Sequence, residues 1–175
     1  MAVLRRYLWI SALAFGLIFL ALGAFVVVKG LAAKAEIRDR LAEEQVYTSK
    51  DAVSFGVDEG VLVQDAKTAQ AQADTIRLHT LERYGPYAKM AKDDPNRATF
   101  VNGVALRGAL GLAVVGFGLA DMAIFTGILN ILMGVATLAI AVPALYWAGE
   151  AERQVVREVG RQVAPRPSYT PGGGQ

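Results

Sequence analysis

Residues 8–28 contain no charged side chain, and this unbroken apolar run constrains the fold more than any other feature. A helix rises 1.5 Å per residue, so about 20 apolar residues cross a ~30 Å hydrocarbon core. Arg5 and Arg6 precede the run, Tyr7 and Trp9 stand where an interfacial belt falls, and Lys29 follows, the flanks of a membrane anchor. A cleaved signal peptide needs a shorter apolar stretch, ~7–15 residues, and a small-x-small cleavage site. Bulky Phe25, Val26, Val27 and Val28 fill that place, so residues 1–28 read as an uncleaved transmembrane anchor.

A second apolar block covers residues 104–147. As one helix it would be about 66 Å long, twice the hydrocarbon core. The block is therefore two spans, or one span plus a buried helix; two spans with a turn at 120–124, a transmembrane hairpin over 103–148, are expected as the more economical. Tyr146 and Trp147 mark an interface. Arg107, near the start of the block, is placed to snorkel to headgroups. Asp121 reads as a residue of the exposed turn; the alternative is an ionisable group at membrane depth, which would imply function. Asn130 is available for a hydrogen bond across helices, and Pro143 is expected to bend the last span. Ala12 with Gly16, and Gly116 with Ala120, are small residues four apart, the spacing that permits close helix packing in lipid. A homo-oligomer built on these faces stays open.

Between the blocks, residues 29–102 have the composition of an extramembrane region. Residues 29–97 carry eleven basic and twelve acidic side chains. Glu36 and Arg40 form an i,i+4 pair, and Ile37 and Leu41 share a face, so the first helix is expected to continue beyond the membrane. Val46, Tyr47, Val53, Phe55, Val57, Val61 and Val63, with a turn signal at Asp58-Glu59-Gly60, predict a small β-hairpin. Two strands alone are marginal, so the hairpin needs a helix or a partner to pack on. Asp65 predicts the cap of a helix ending at Tyr84, where Gly85 and Pro86 stop it. Ala69, Ala73, Ile76 and Thr80 line one face of that helix. Asp94-Pro95 predicts a further helix start, with Asp94 as N-cap. Residues 149–163 predict an amphipathic helix with Val155, Val156, Val159 and Val163 on one side, and residues 164–175, rich in Pro and Gly, predict disorder. The fold class is thus mainly α: an integral membrane protein with about three transmembrane helices and a small α+β extramembrane region between the first and second.

Charge and composition exclude several functions. A formal net charge of +2 and the lack of a basic stripe argue against nucleic acid. There is no Cys, so disulfides and thiolate chemistry are out. No phosphate-binding glycine loop, HExxH or GxSxG motif occurs. The charge bias conflicts over orientation. Arg5 and Arg6 favour an inside N-terminus, yet three spans would then place Arg153, Arg157, Arg161 and Arg166 outside. The expected arrangement is N-terminus inside, in a bacterial plasma membrane, with the middle region extracytoplasmic.

Several pieces between residues 69 and 115 form a pattern: Ala71-Gln72-Ala73-Asp74, Ile76, His79, Leu81, Tyr87-Ala88, Asp94-Pro95, Arg97 and Leu106-Arg107. This stretch resembles a family of small actinobacterial membrane proteins of unknown role, often labelled aromatic ring-opening dioxygenases. It departs at Gly108, where that family favours Ala, and at Gly85-Pro86 before the tyrosine. The resemblance implies an N-terminal span and a C-terminal apolar block. The dioxygenase chemistry does not carry over, because a facial-triad iron site needs two His and a carboxylate and this chain has only His79.

The expectation for function is a non-enzymatic accessory or assembly subunit of a larger membrane complex, with no cofactor. Its partners would be other membrane subunits and the lipid bilayer. Asp74, His79, Asp94 and Arg97 would then be structural or contact residues, as caps and ion pairs. The alternative is a membrane-tethered sensor with a pocket in the middle region lined from Tyr47, Phe55, Tyr84 and Tyr87. An enzyme or transporter would require Arg107, Asp121 and His79 to converge.

Overall fold

The computed structural model describes residues 7–163; Arg5, Arg6, Arg166 and the expected disorder at 164–175 lie outside them. The described residues form four α-helices: α1 (Leu8–Glu43), α2 (Ala66–Tyr84), α3 (Arg97–Ala136) and α4 (Val142–Val163). Short 3₁₀ helices occupy Lys50–Phe55 and Tyr87–Lys89, and a π-helical turn, Thr137–Ala141, joins α3 to α4.

Among the described residues, two helical runs are long and apolar enough to cross a membrane, Leu8–Glu43 and Arg97–Gln162. Only 11% and 6% of their apolar windows are buried within the chain. The core helix of a soluble domain is buried on most sides, so these helices are not of that kind. Exposed apolar area of this extent is covered by lipid or by other protein.

Three spans are not shown: the described residues hold two candidate spanning runs. No turn forms at 120–124; α3 is one helix of 40 residues, about 60 Å long. A block of this length need not lie wholly in lipid, and its first half packs on protein: Leu110, Phe117 and Ala120 are buried. Residues 97–136 also contain no proline, and isolated glycines weaken a helix without ending it. At the other end, Pro143 cannot donate a backbone hydrogen bond, and the π turn ends two residues before it, at Ala141.

The described chain divides into two compact units, Leu22–Leu129 and a second made from the chain's start up to Ala21 with its end from Asn130. In the unit Leu22–Leu129, α1 and α3 run antiparallel in close contact. A Cβ added at Gly127 would lie 2.7 Å from the carbonyl oxygen of Gly23, and one at Gly30 would lie 3.0 Å from that of Ala120. Only a missing side chain lets the backbones approach this closely. Further along the same seam, a Cβ on Gly116 would lie 2.8 Å from Ile37 Cδ1.

The same unit holds the middle region, where the predicted hairpin is also corrected. The described residues contain no β-strand; the two segments meet at one antiparallel bridge, Tyr47 with Leu62. Thr48, 3% exposed, explains why. Its Oγ1 donates to the Asp58 carbonyl (2.6 Å) and accepts from the Val61 amide (2.9 Å), while its own amide donates to the Val61 carbonyl (2.8 Å). The loop is thus pinned through a side chain, and the residues inside it fold into the 3₁₀ helix, burying Ala52 and Val57 against Ala71. Gly60, at φ 76°, makes the turn and donates to the Thr48 carbonyl.

Helix α2 starts as the sequence predicts. Asp65 accepts from the Thr68 amide (2.8 Å), and Thr68 reaches back to the Asp65 amide in a capping box. Gly85 follows its last residue. Its small-residue face is buried: Ala69 and Ala73 pack with Val63 and Leu110, and Ile76 lies against this cluster. A Cβ at Gly103 of α3 would lie 3.1 Å from Thr80 Oγ1, so α2 also meets α3 closely.

In the second unit, the first part of α1 and the last part of α3 pack in the same manner. A Cβ at Gly134 would lie 2.8 Å from the Gly16 carbonyl oxygen, and one at Gly16 would lie 2.6 Å from Leu138 Cδ2. Trp9 and Tyr146 meet edge to face at 6.0 Å. Helix α4 leaves Val155, Val156 and Val159 exposed.

Candidate functional site

Charge and aromaticity concentrate in the unit Leu22–Leu129. Lys34 of α1 pairs with Asp121 of α3 at 2.6 Å, with the side chains 45% and 57% exposed. The expectation of Asp121 in a turn is therefore corrected; it lies inside α3 and is matched by a base 87 positions away. On α1 Lys34 follows the charge-free run 8–28, and on α3 Asp121 precedes another, 122–149.

A second concentration lies where the connection after α2 meets the start of α3. Phe100, 4% exposed, packs against Tyr87 (centroids 5.5 Å) and Tyr84 (6.2 Å). The Arg97 guanidinium lies 4.5 Å from the centre of the Tyr87 ring and donates to its hydroxyl. Arg97 also donates to the Ala91 carbonyl. The ring is thereby fixed on both its face and its polar tip. Beside this cluster runs an apolar groove of about 390 Å³, lined by Leu81, Pro86, Tyr87, Phe100, Val101, Val104 and Arg107. Arg107 is its one charged wall; it makes no hydrogen bond or ion pair with a described residue.

The other singled-out residues have local roles. Asp74 bonds Gln70 and Arg77 on its own helix. His79 Nε2 lies 2.8 Å from Asp51 Oδ2, tying the 3₁₀ helix Lys50–Phe55 to α2. Asp94 accepts from the Asn96 amide and α3 begins at Arg97, so Asp94 makes a turn just ahead of the helix rather than its N-cap. Gly16, Gly116 and Ala120 all face the other long helix of the same chain; Ala12 is half-buried. His79, Arg107 and Asp121 keep separate company and do not form one cluster. Among the described residues, no three His, Asp or Glu side chains gather in a set able to hold a metal.

Sequence reasoning missed the glycines that matter most for packing. Gly23 and Gly30 are seven apart, and Gly127 stands seven beyond Ala120. A seven-residue repeat is the signature of a long two-helix seam, and a scan for pairs four apart passes over it. Phe100 was missed because no periodic pattern singles it out. Compared with known protein families, curated proteins and solved structures, the chain matches none.

Proposed function

We propose that the chain is a two-pass membrane protein acting as a non-enzymatic accessory or assembly subunit of a larger membrane complex. The observation that carries this is the outer face of α3 ahead of Asp121. Leu112, Val115 and Leu119 are 74%, 58% and 62% exposed. Gly108, Gly111 and Gly118 have open space where a side chain would be. Yet this stretch lies beside the charged half of α1, since Gly116 meets Ile37 and Asp121 meets Lys34. The charge-free run 8–28 is the part of α1 that fits the hydrocarbon core, which leaves residues 108–119 on the aqueous side. An apolar face of that length in water calls for a protein partner.

The charge pattern supports the two-span reading. Both ends of the chain fall on one side, so Arg5, Arg6, Arg153, Arg157, Arg161 and Arg166 all satisfy the positive-inside rule together. The middle region is then extracytoplasmic in a bacterial plasma membrane. The test is a photo-crosslinking residue placed at Leu112 or Leu119, and at Ile18 as control, in native membranes. A discrete protein adduct from positions 112 and 119, with lipid adducts only from 18, is expected. Lipid alone at all three positions, or a protein that runs as a lone monomer in mild detergent, overturns the proposal.

A second reading, a membrane-tethered ligand-binding module, is favoured by the groove beside Tyr87 and Phe100. That groove uses Tyr87 of the expected lining; Tyr84 backs it through Phe100.

A further inference from the structure

We propose that the groove between the end of α2 and the start of α3 binds a fatty acid, with its hydrocarbon chain along the groove and its carboxylate on Arg107. This rests on the ligand-binding reading and is independent of the docking face on α3. Three features converge on one class of ligand. The volume, about 390 Å³, falls within the range of small-molecule sites. The walls are otherwise aliphatic and aromatic: Leu81, Pro86, Val101, Val104 and the rings of Tyr87 and Phe100. The single charge, Arg107, has no partner among the described residues, whereas the nearby Arg97 is committed to Tyr87 and the Ala91 carbonyl.

The chemistry of the walls decides between ligands. A bound peptide brings backbone N–H and C=O groups that need partners once out of water. The groove offers almost none, because the Tyr87 hydroxyl is already held by Arg97. A hydrocarbon chain brings no such groups. A guanidinium presents a planar fork of donors that matches a carboxylate in bidentate fashion. A long-chain alcohol or amine would leave that fork unmatched.

The two lining rings are held before any ligand arrives. Phe100 is buried, and Tyr87 is clamped between Phe100 and Arg97. An apolar slot rewards each methylene it covers, by up to about fourfold in affinity where burial is complete.

The experiment uses the full-length protein in lipid nanodiscs with a diazirine-bearing hexadecanoate, and locates adducts by mass spectrometry. Adducts on residues 81–107 are expected, with displacement by unlabelled tetradecanoate. Decanoate should displace it far less well, and tetradecanol at least tenfold less well. Arg107→Gln should weaken labelling about tenfold and leave Arg107→Lys closer to wild type; helix content measured on each variant separates this from misfolding. Val104→Trp, which fills the slot, should abolish labelling. Adducts confined to the two membrane-spanning runs overturn the proposal. So does equal displacement by acid and alcohol, or stronger displacement by a short apolar peptide with a free C-terminus. Failure here leaves the crosslinks at Leu112 and Leu119 unaffected, so the two proposals fall separately.

Discussion

Lys34 and Asp121 stand 2.6 Å apart across α1 and α3, Asp121 directly before the charge-free run 122–149 and Lys34 one turn and a half beyond Lys29, which ends the run 8–28. A half-exposed pair in water contributes about 0–1 kcal/mol. An unmatched ionised group nearer the centre of a bilayer costs roughly 2.5–3.5 kcal/mol. A pair at the border should fall between these limits. Lys34→Leu is expected to destabilise by about 1–2 kcal/mol, because it strands Asp121, and the double variant Lys34→Leu/Asp121→Leu should recover most of that loss. Thermal unfolding of the four chains in a nanodisc gives the coupling directly. Additive losses would mean that the two side chains act independently.

The glycine seam makes a sharper demand. A Cβ at Gly127 meets the Gly23 carbonyl oxygen and the Val27 amide at 2.7 and 2.9 Å, both backbone atoms that cannot rotate away. Gly127→Ala should therefore force α1 and α3 apart and cost about 1–3 kcal/mol, as overpacking does, despite alanine's better helix propensity. Gly111→Ala, where the Cβ meets nothing within 4 Å, should stabilise the purified chain by up to about 1 kcal/mol. Opposite signs in one thermal-unfolding series would identify the seam; equal signs would remove it.

What the sequence revealed and what it hid follow the range of the interactions concerned. The Asp65 cap, the Gly85 stop and the buried face of α2 depend on residues within a few positions, and local rules find them. The continuity of α3 through residues 120–124 depends on Phe117 and Ala120 being covered by distant parts of the chain, which no local window contains. The β-rich composition of 46–63 misled for a related reason. Buried Thr48 takes the Asp58 carbonyl and Val61 amide through its side chain, an alternative to a ladder that side-chain hydroxyls offer and propensity does not register. The groove escaped because Phe100, Val101 and Val104 are ordinary members of an apolar helix until the turn at Pro86-Tyr87 is laid beside them.

Thr48 offers a direct test of that pinned loop. Thr48→Val preserves shape and removes both side-chain hydrogen bonds in a site 3% exposed, leaving the Asp58 carbonyl and Val61 amide without that partner. A loss of about 1–3 kcal/mol is expected. Hydrogen exchange at the Val61 amide should accelerate before exchange in α2 does, since the loop opens without unfolding the helix. Exchange rising equally in both would show that loop and helix open as one unit.

The outer face of α3 gives the prediction that separates stability from assembly. Leu112 and Leu119 make little use of their apolar surface within the chain, being 74% and 62% exposed. Replacing both with Gln should change the unfolding of the isolated protein by no more than about 0.5 kcal/mol, the usual scale for exposed sites. If a partner subunit covers this face, the same pair of substitutions removes two buried leucines from that interface, each worth about 1.5–3 kcal/mol on full burial. Recovery of the complex in mild detergent should then fall at least tenfold. Unchanged recovery with unchanged stability would mean that the face is covered by neither the chain nor a partner, and residues 108–119 would have to be placed in lipid instead.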